Sequence, residues 1–394
     1  MATILDYLAW RGDLSFQQTP FNPVDNLILA RISYLPFEGI VPGPDSKNYV
    51  TIAEAAEQFE SLAKQPGSSQ SSSVILKDDP SLLSAMGKSN RFGGLSLAHY
   101  INNIDINEEK QFSVVTIFGE KFPPYISYRG TDLTIVGWKE DFNMSFLSAV
   151  PSQLDAVAYL EKAAKTFRGT LRVGGHSKGG NLAVYAAAFC NKHVQHRIAE
   201  VYNNDGPGFS NETINKESFQ AIADKIHTFV PQSSVIGMLF EHEEKYTVVH
   251  STQKGLMQHD LYSWEVSYND VARLDEVDNN SKFIDRTMKD WLNSLEPDQR
   301  KELVNHLYDL LTSTNALTLQ ELTAQGLKNT GTIIKTMTGA DETTRKNLSK
   351  IFSILVKAAR NNINYILPPK EKYSLFQHKN RKPDEQEQTL VLDE

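Results

Sequence analysis

The chain is poor in several features that would each have pointed elsewhere. It has one cysteine, Cys190, in 394 residues, so no intrachain disulfide can form. No stretch approaches the ~20 consecutive apolar residues that a membrane-spanning helix needs. Neither a G-x-x-x-x-G-K-[ST] phosphate loop nor a G-x-G-x-x-G dinucleotide fingerprint occurs, so these nucleotide-cradling loops are excluded. Positive charge is in deficit: the net charge of −8 argues against a nucleic-acid partner. The opening Met1-Ala2-Thr3-Ile4-Leu5-Asp6-Tyr7 has no basic region ahead of an apolar core, so no secretory signal is expected and the chain reads as cytoplasmic. His242-Glu243-Glu244 and the pair His193 and His196 find no third ligand at credible spacing, so neither a metal nor a cofactor is expected.

What remains is an ordinary folded composition, 40% hydrophobic and 22% charged, long enough for one large domain and an appendage. Charge is unevenly shared. Residues 1–280 carry 23 Lys and Arg against 33 Asp and Glu, while residues 281–394 are nearly balanced at 17 against 15. Helices are expected over 3–15, Pro23–Leu35, 51–64, Arg91–Asn103 and 151–167. Between 51–64 and Arg91–Asn103 lies the polar loop Gln65–Ser73. Strands are expected at Phe112–Phe118, Pro124–Arg129, Leu171–Val173, Ala199–Asn203, Lys225–Val230 and Thr247–His250. Strands alternating with helices indicate an α/β sheet with parallel strands. After about residue 278 only helical patterns remain: Lys282–Leu295, Pro297–Leu311, Leu319–Met337 and Asp341–Ile366. The expected division is therefore 1–278 for the α/β part with a helical N-terminal extension, 279–368 for a helical domain, and 369–394 for a polar, disordered tail.

The densest signal is Gly175-His176-Ser177-Lys178-Gly179, between the apolar run Leu171–Val173 and the Ala-rich helical stretch Asn181–Phe189. A G-x-S-x-G turn between strand and helix is a nucleophile elbow. The tight turn forces the serine into strained backbone space and presents its hydroxyl at a helix N-terminus, and small neighbours let the backbones approach. The alternative is a glycine-rich turn that binds an anion or nothing. Asp205, in Asn203-Asn204-Asp205-Gly206-Pro207-Gly208, follows the next strand, 28 residues past Ser177. It suits either a triad acid or plain turn chemistry.

Tyr128-Arg129-Gly130-Thr131, followed by Gly137-Trp138 and Asp141, resembles the F-R-G-[ST]…W…D block of the fungal-type (class 3) lipases, and His259-Asp260-Leu261-Tyr262 resembles their catalytic-histidine segment. That resemblance covers about residues 110–265. The opening Asp6–Leu14 and the Gly-His-Ser-Lys-Gly-Gly elbow are similar to the Mbeg-like bacterial hydrolases, a family of unknown substrate. The resemblance implies an α/β-hydrolase fold; with the patterns above, the expected architecture is a mostly parallel central sheet followed by a C-terminal all-helical domain. It implies a serine esterase acting on a small-molecule or lipid acyl ester, with Ser177 as nucleophile and His259 as base. It also implies an oxyanion hole from Thr131 and the backbone N–H of Lys178.

The acid is where the lipase pattern breaks. The family's late-strand aspartate aligns with Ser234, or with Ser233, so the expected carboxylate is missing. Pancreatic-type lipases carry the acid one strand earlier, which favours Asp205. The other readings are a Ser234-assisted dyad, Asp260 or Glu241. Among the histidines His250 is the rival base, and His193 and His196 suit a helix C-terminus. The Lys178 ammonium is read as adding positive potential at the site mouth for an anionic acyl substrate. Phe142–Val150 and Ile236–Phe240 are lid candidates. Two further functions stay open: a pseudo-hydrolase that binds a partner, and a thioesterase. The helical region could cap the site, form a homo-oligomer or touch a membrane surface.

Overall fold

The computed structural model describes residues 1–64, 76–105, 107–131, 139–141, 143–144, 147–242, 244–312 and 342–366. The expectations for Gln65–Ser73, Gly137-Trp138, Leu319–Met337 and the tail 369–394 lie outside these residues, as does part of the lid candidate Phe142–Val150.

The chain opens with helices α1 (Ile4–Arg11) and α2 (Pro23–Ile32), then strand β1 (Val50–Thr51), α3 (Ile52–Ala63) and α4 (Asp79–Lys88). Three strands follow: β2 (Ser96–Asp105), β3 (Lys110–Gly119) and β4 (Phe122–Tyr128). Helix α5 (Pro151–Thr166) leads to β5 (Leu171–His176), α6 (Lys178–Phe189), α7 (Lys192–Arg197) and β6 (Ile198–Asn204). Two short helices, α8 (Asn211–Ile214) and α9 (Glu217–Gln220), precede β7 (Ile226–Pro231) and β8 (Tyr246–Val249). After a loop with 3-10 turns at Gly255–His259 and Leu261–Ser263 come β9 (Val266–Ser267), β10 (Asp270–Val271) and β11 (Arg273–Leu274). Helices α10 (Asn279–Asn293), α11 (Pro297–Thr312) and α12 (Glu342–Asn362) complete the described chain.

Nine strands form one sheet in the order β1-β2-β3-β4-β5-β6-β7-β8-β11. The expected parallel strands form the centre of the sheet. The pairings from β4 through β8 are parallel, but β1 through β4 and the β8–β11 edge are antiparallel, so the sheet is mixed. The reason is that β2, β3 and β4 follow one another with only short turns between them. Such turns join antiparallel strands, whereas parallel ones need a crossover.

Strand β2 also replaces the helix expected over Arg91–Asn103. It carries a bulge: Ala98 pairs Thr116 and Ile101 pairs Val114, one extra residue on β2, with His99 at φ 57. The bulge breaks the two-residue alternation that marks a strand in sequence. Helix α4 and strands β9–β11 had no expected counterpart, and the three strands are only two residues each.

Period-two alternation places two cores on the two faces of the sheet. Val115, Ile117, Tyr125 and Tyr202 pack with α1–α4, while Phe112, Val114, Ile126 and Val201 pack with α5 and α6. Helix α2 is apolar on nearly every side and correspondingly buried along its length. It starts at a full capping box: Asn22 Oδ1 accepts from the Val24 and Asp25 backbones, and Asp25 Oδ2 accepts from Asn22 N. Asp25 then pairs with Arg91 at 2.5 Å in full burial. Cys190, at the end of α6, is buried, and its thiol is pushed up to about 12 by that burial, so it packs as a small hydrophobe. In the C-terminal helices Trp291 and Leu295 pack with Ile351 and Ala358, and Trp291 Nε1 donates to the Ile351 carbonyl at 3.0 Å.

Candidate active site

The carboxyl ends of β4, β5 and β6 are level. Tyr128 pairs Gly175, Gly175 pairs Asn203 and His176 pairs Asn204. The residues just beyond these ends, Gly130-Thr131, Ser177 and Asp205, therefore share one edge of the sheet, where ligands bind in open α/β sheets.

Ser177 sits between β5 and α6 at φ 58, ψ −135, a backbone region costly for any residue with a Cβ. The turn is held closed: Ser177 N donates to Asn204 O at 2.9 Å and Gly180 N donates to Ser177 O at 2.9 Å. The glycines are required by contact. A Cβ on Gly175 would lie 2.3 Å from the Gly179 carbonyl carbon, and one on Gly179 would lie 2.1 Å from Tyr128 O. Asn204 fastens the turn to its neighbours, donating to Gly175 O at 2.9 Å and accepting from Asn26 of α2 at 2.8 Å.

Asp205 is buried, with its own φ at 53, and its two oxygens are used differently. Oδ2 lies 2.6 Å from His259 Nδ1. Oδ1 accepts from Ser234 Oγ at 2.5 Å and from Gly237 N at 3.1 Å. Ser234, the position where a late-strand acid was expected, thus donates to the carboxylate of Asp205. The Gly237 carbonyl in turn accepts from His242 Nε2 at 2.6 Å, and His242 Nδ1 pairs with Glu244 at 3.0 Å. Burial works against the Glu244 charge, but His242 and Thr228 together hold it below the usual carboxylate range.

His259 ends a 3-10 turn and is partly open to solvent, with 26% of its side chain exposed. Its backbone carbonyl accepts from His176 Nε2 at 2.7 Å, and the two rings lie 4.4 Å apart. A carbonyl only accepts, so His176 carries its proton on Nε2 and its Nδ1 accepts from the Tyr34 hydroxyl at 2.9 Å. Burial, with the His259 ring beside it, holds His176 well below its usual pKa. Tyr34, raised by burial, stays a donor. Arg31 stacks over Tyr34 at 4.3 Å and is ion-paired with Asp79, which also accepts from the Tyr262 hydroxyl at 2.7 Å.

The other candidates are engaged elsewhere. Glu241 pairs with Lys289 at 3.2 Å, and Asp260 caps Tyr262 N at 3.0 Å. His250 Nδ1 lies 2.6 Å from Glu265, while His193 and His196 are exposed on α7. Thr131 follows Gly130, where a Cβ would fall 2.9 Å from Ser177 Cβ, so this backbone abuts the serine. The Thr131 hydroxyl donates to Asp141 Oδ2 at 2.5 Å. Arg129 is buried, and its Nε and Nη2 have no partner among the described residues.

The Lys178 side chain corrects an expectation. It is 1% exposed, not at the mouth, and its Nζ donates to Glu140 at 2.8 Å and to Gln111 O at 2.9 Å. Glu140 had no signal in the sequence beyond its place beside Asp141, and neither Tyr34 nor Asn26 had any. All three act across long sequence separations. No group of three or more His, Cys, Asp or Glu that could hold a metal occurs among the described residues. No helix among them is long and apolar enough to cross a membrane.

Residues 86–309 match the family model described as Mbeg1-like. The chain belongs to the Mbeg1-like family. The family span holds Ser177, Asp205, His259, Thr131, Lys178, Ser234 and Glu140, whereas Asn26, Arg31, Tyr34 and Asp79 lie before it. No curated protein matches the chain. A solved structure, titled "Crystal structure of M37 lipase", is similar at 16% identity and a TM-score of 0.33, over 55% of this chain and 70% of that one.

Proposed function

We propose that the chain is a serine hydrolase of the α/β-hydrolase type that cleaves carboxylic esters through an acyl-enzyme. The carrying observation is the 2.6 Å contact between His259 Nδ1 and Asp205 Oδ2, with Asp205 on the turn next to Ser177. A carboxylate at Nδ1 fixes the tautomer with the free lone pair on Nε2, which is the atom a general base needs. In the proposed cycle His259 takes the Ser177 proton as Oγ attacks the ester carbonyl, and Asp205 supports the imidazolium that forms. The Thr131 and Lys178 backbone N–H groups receive the developing oxyanion. His259 then gives the proton to the leaving alcohol, and water repeats the sequence on the acyl-serine. No metal or cofactor enters these steps.

A fluorophosphonate probe tests the reading. Wild type is expected to be labelled and Ser177→Ala is not. Equal labelling of both, or of neither, would end the proposal. The same residues serve a thioester, so a panel pairing each p-nitrophenyl ester with its thioester distinguishes the two substrates.

A further inference from the structure

We infer that the buried Lys178–Glu140 pair is a positioning device that sets the spacing between the two oxyanion donors, Thr131 N–H and Lys178 N–H; this rests on the hydrolase reading above. The position is chemically unwelcoming for a lysine. It is in the first turn of α6, where the helix dipole opposes a cation, and it is almost fully buried. An apolar residue would fill the space without a charge to desolvate, and such replacements of buried ion pairs are often neutral or stabilising. A role in stability alone therefore does not account for the pair.

The contacts say what the pair does. Glu140 and Asp141 are consecutive, and each holds one side of the hole. Glu140 takes the Lys178 ammonium at 2.8 Å, and Asp141 takes the Thr131 hydroxyl at 2.5 Å. The same two-residue stretch thus grips both donor-bearing residues. It is itself pinned to the scaffold: Glu140 Oε2 accepts from Gln111 N of β3 at 2.9 Å, and Oε1 accepts from Ser152 N at the start of α5 at 2.9 Å. The Lys178 ammonium closes the circuit by donating to Gln111 O. The elbow, the loop after β4, the start of β3 and the start of α5 meet at one ion pair. Oxyanion donors work only within a few tenths of an ångström of 2.7–3.1 Å from the oxygen, and a 1 Å misplacement can cost about 100-fold. An ion pair hydrogen-bonded to β3 and to the start of α5 fixes such a spacing, whereas an apolar contact slides.

The test is the double variant Lys178→Met/Glu140→Gln, which removes both charges together. The Glu140→Gln amide keeps one oxygen to accept from Gln111 N or Ser152 N and turns its NH2 towards the other. The expected result in the folded variant is a kcat about 10- to 100-fold lower and a KM within about twofold, because the donors act on transition-state charge. Wild-type kcat in the folded double variant would overturn the inference. If that variant does not fold, Glu140→Asp keeps both charges and shortens the reach by one methylene. Its active sites, counted by fluorophosphonate titration, should turn over about 10-fold more slowly, and wild-type turnover per titrated site would overturn the inference. Failure of the hydrolase reading is distinct: wild type itself would then go unlabelled, and the inference would fall with it.

Discussion

Asp205 Oδ2 lies 2.6 Å from His259 Nδ1, joining two residues 54 positions apart in the chain. Asp205 ends up there because β6 lies beside β5, and the turn after β6 is tied to the Ser177 turn through Asn204. Asp205→Asn is the direct probe of this contact. Asparagine tolerates the left-handed backbone at this position, so the fold should survive. The amide would favour the wrong imidazole tautomer, and kcat on a p-nitrophenyl ester should fall about ten-thousand-fold with little change in Tm. A loss below about tenfold would mean that another group orients His259.

Ser234→Ala examines the second oxygen of the same carboxylate. The hydroxyl bond to Asp205 Oδ1 is one of two there, the other coming from Gly237 N. Losing a bond to a charged group costs about 1.5–3 kcal/mol. With Gly237 still in place, kcat should fall about tenfold while KM stays within about twofold. Unchanged kcat would show that Gly237 N suffices.

Low pH should weaken the fold through His176. Its pKa in the folded protein is held well below the ordinary 6.5, so the unfolded chain takes up a proton that the folded one refuses. The stability is fully present above about pH 6.5 and is lost as pH falls from there towards the folded value. The fold should therefore be less stable at pH 5.5 than at pH 7.5. Urea midpoints of wild type and His176→Gln at the two pH values measure it. The variant keeps an amide donor for the His259 carbonyl and should lose correspondingly less. An identical drop in both proteins would contradict the assignment.

Close packing at the Ser177 turn predicts a sharp contrast between glycines. Gly179→Ala sets a methyl against the Tyr128 carbonyl and the Arg129 backbone, none of which can rotate away. It should cost upwards of about 4 kcal/mol or prevent folding. Gly43→Ala meets only Tyr100 O at 3.8 Å and should stay within about 0.5 kcal/mol. Differential scanning fluorimetry of the two proteins side by side is sufficient.

Much of this site was legible from residues that act on their immediate neighbours. The turn at Ser177 could be read because a strand-to-helix turn with glycines two residues either side of a serine has few geometries. Strands β3 to β6 were legible from apolar and β-branched runs. Strand β2 was not, because its bulge at Ala98–Ile101 scrambles the alternation that would have identified it. The two-residue strands β9–β11 are too short to carry any periodicity.

The division between the two sources follows the range of the forces. The sequence alone singled out Ser177 as a candidate beside His259 and Asp205, and placed a serine, Ser234, where a late-strand acid was expected. It favoured Asp205 over Asp260 and Glu241 only by likeness to the pancreatic-type lipases, since one carboxylate is like another until burial and strand order separate them. Tertiary structure placed Asp205 against His259, drew Ser234 in as its donor, and sent Asp260 and Glu241 to other partners. It also turned Lys178 from an imagined surface charge into half of a buried pair with Glu140, 38 residues away. A charge finds its partner through space, and in a low-dielectric interior that partner decides what the charge does.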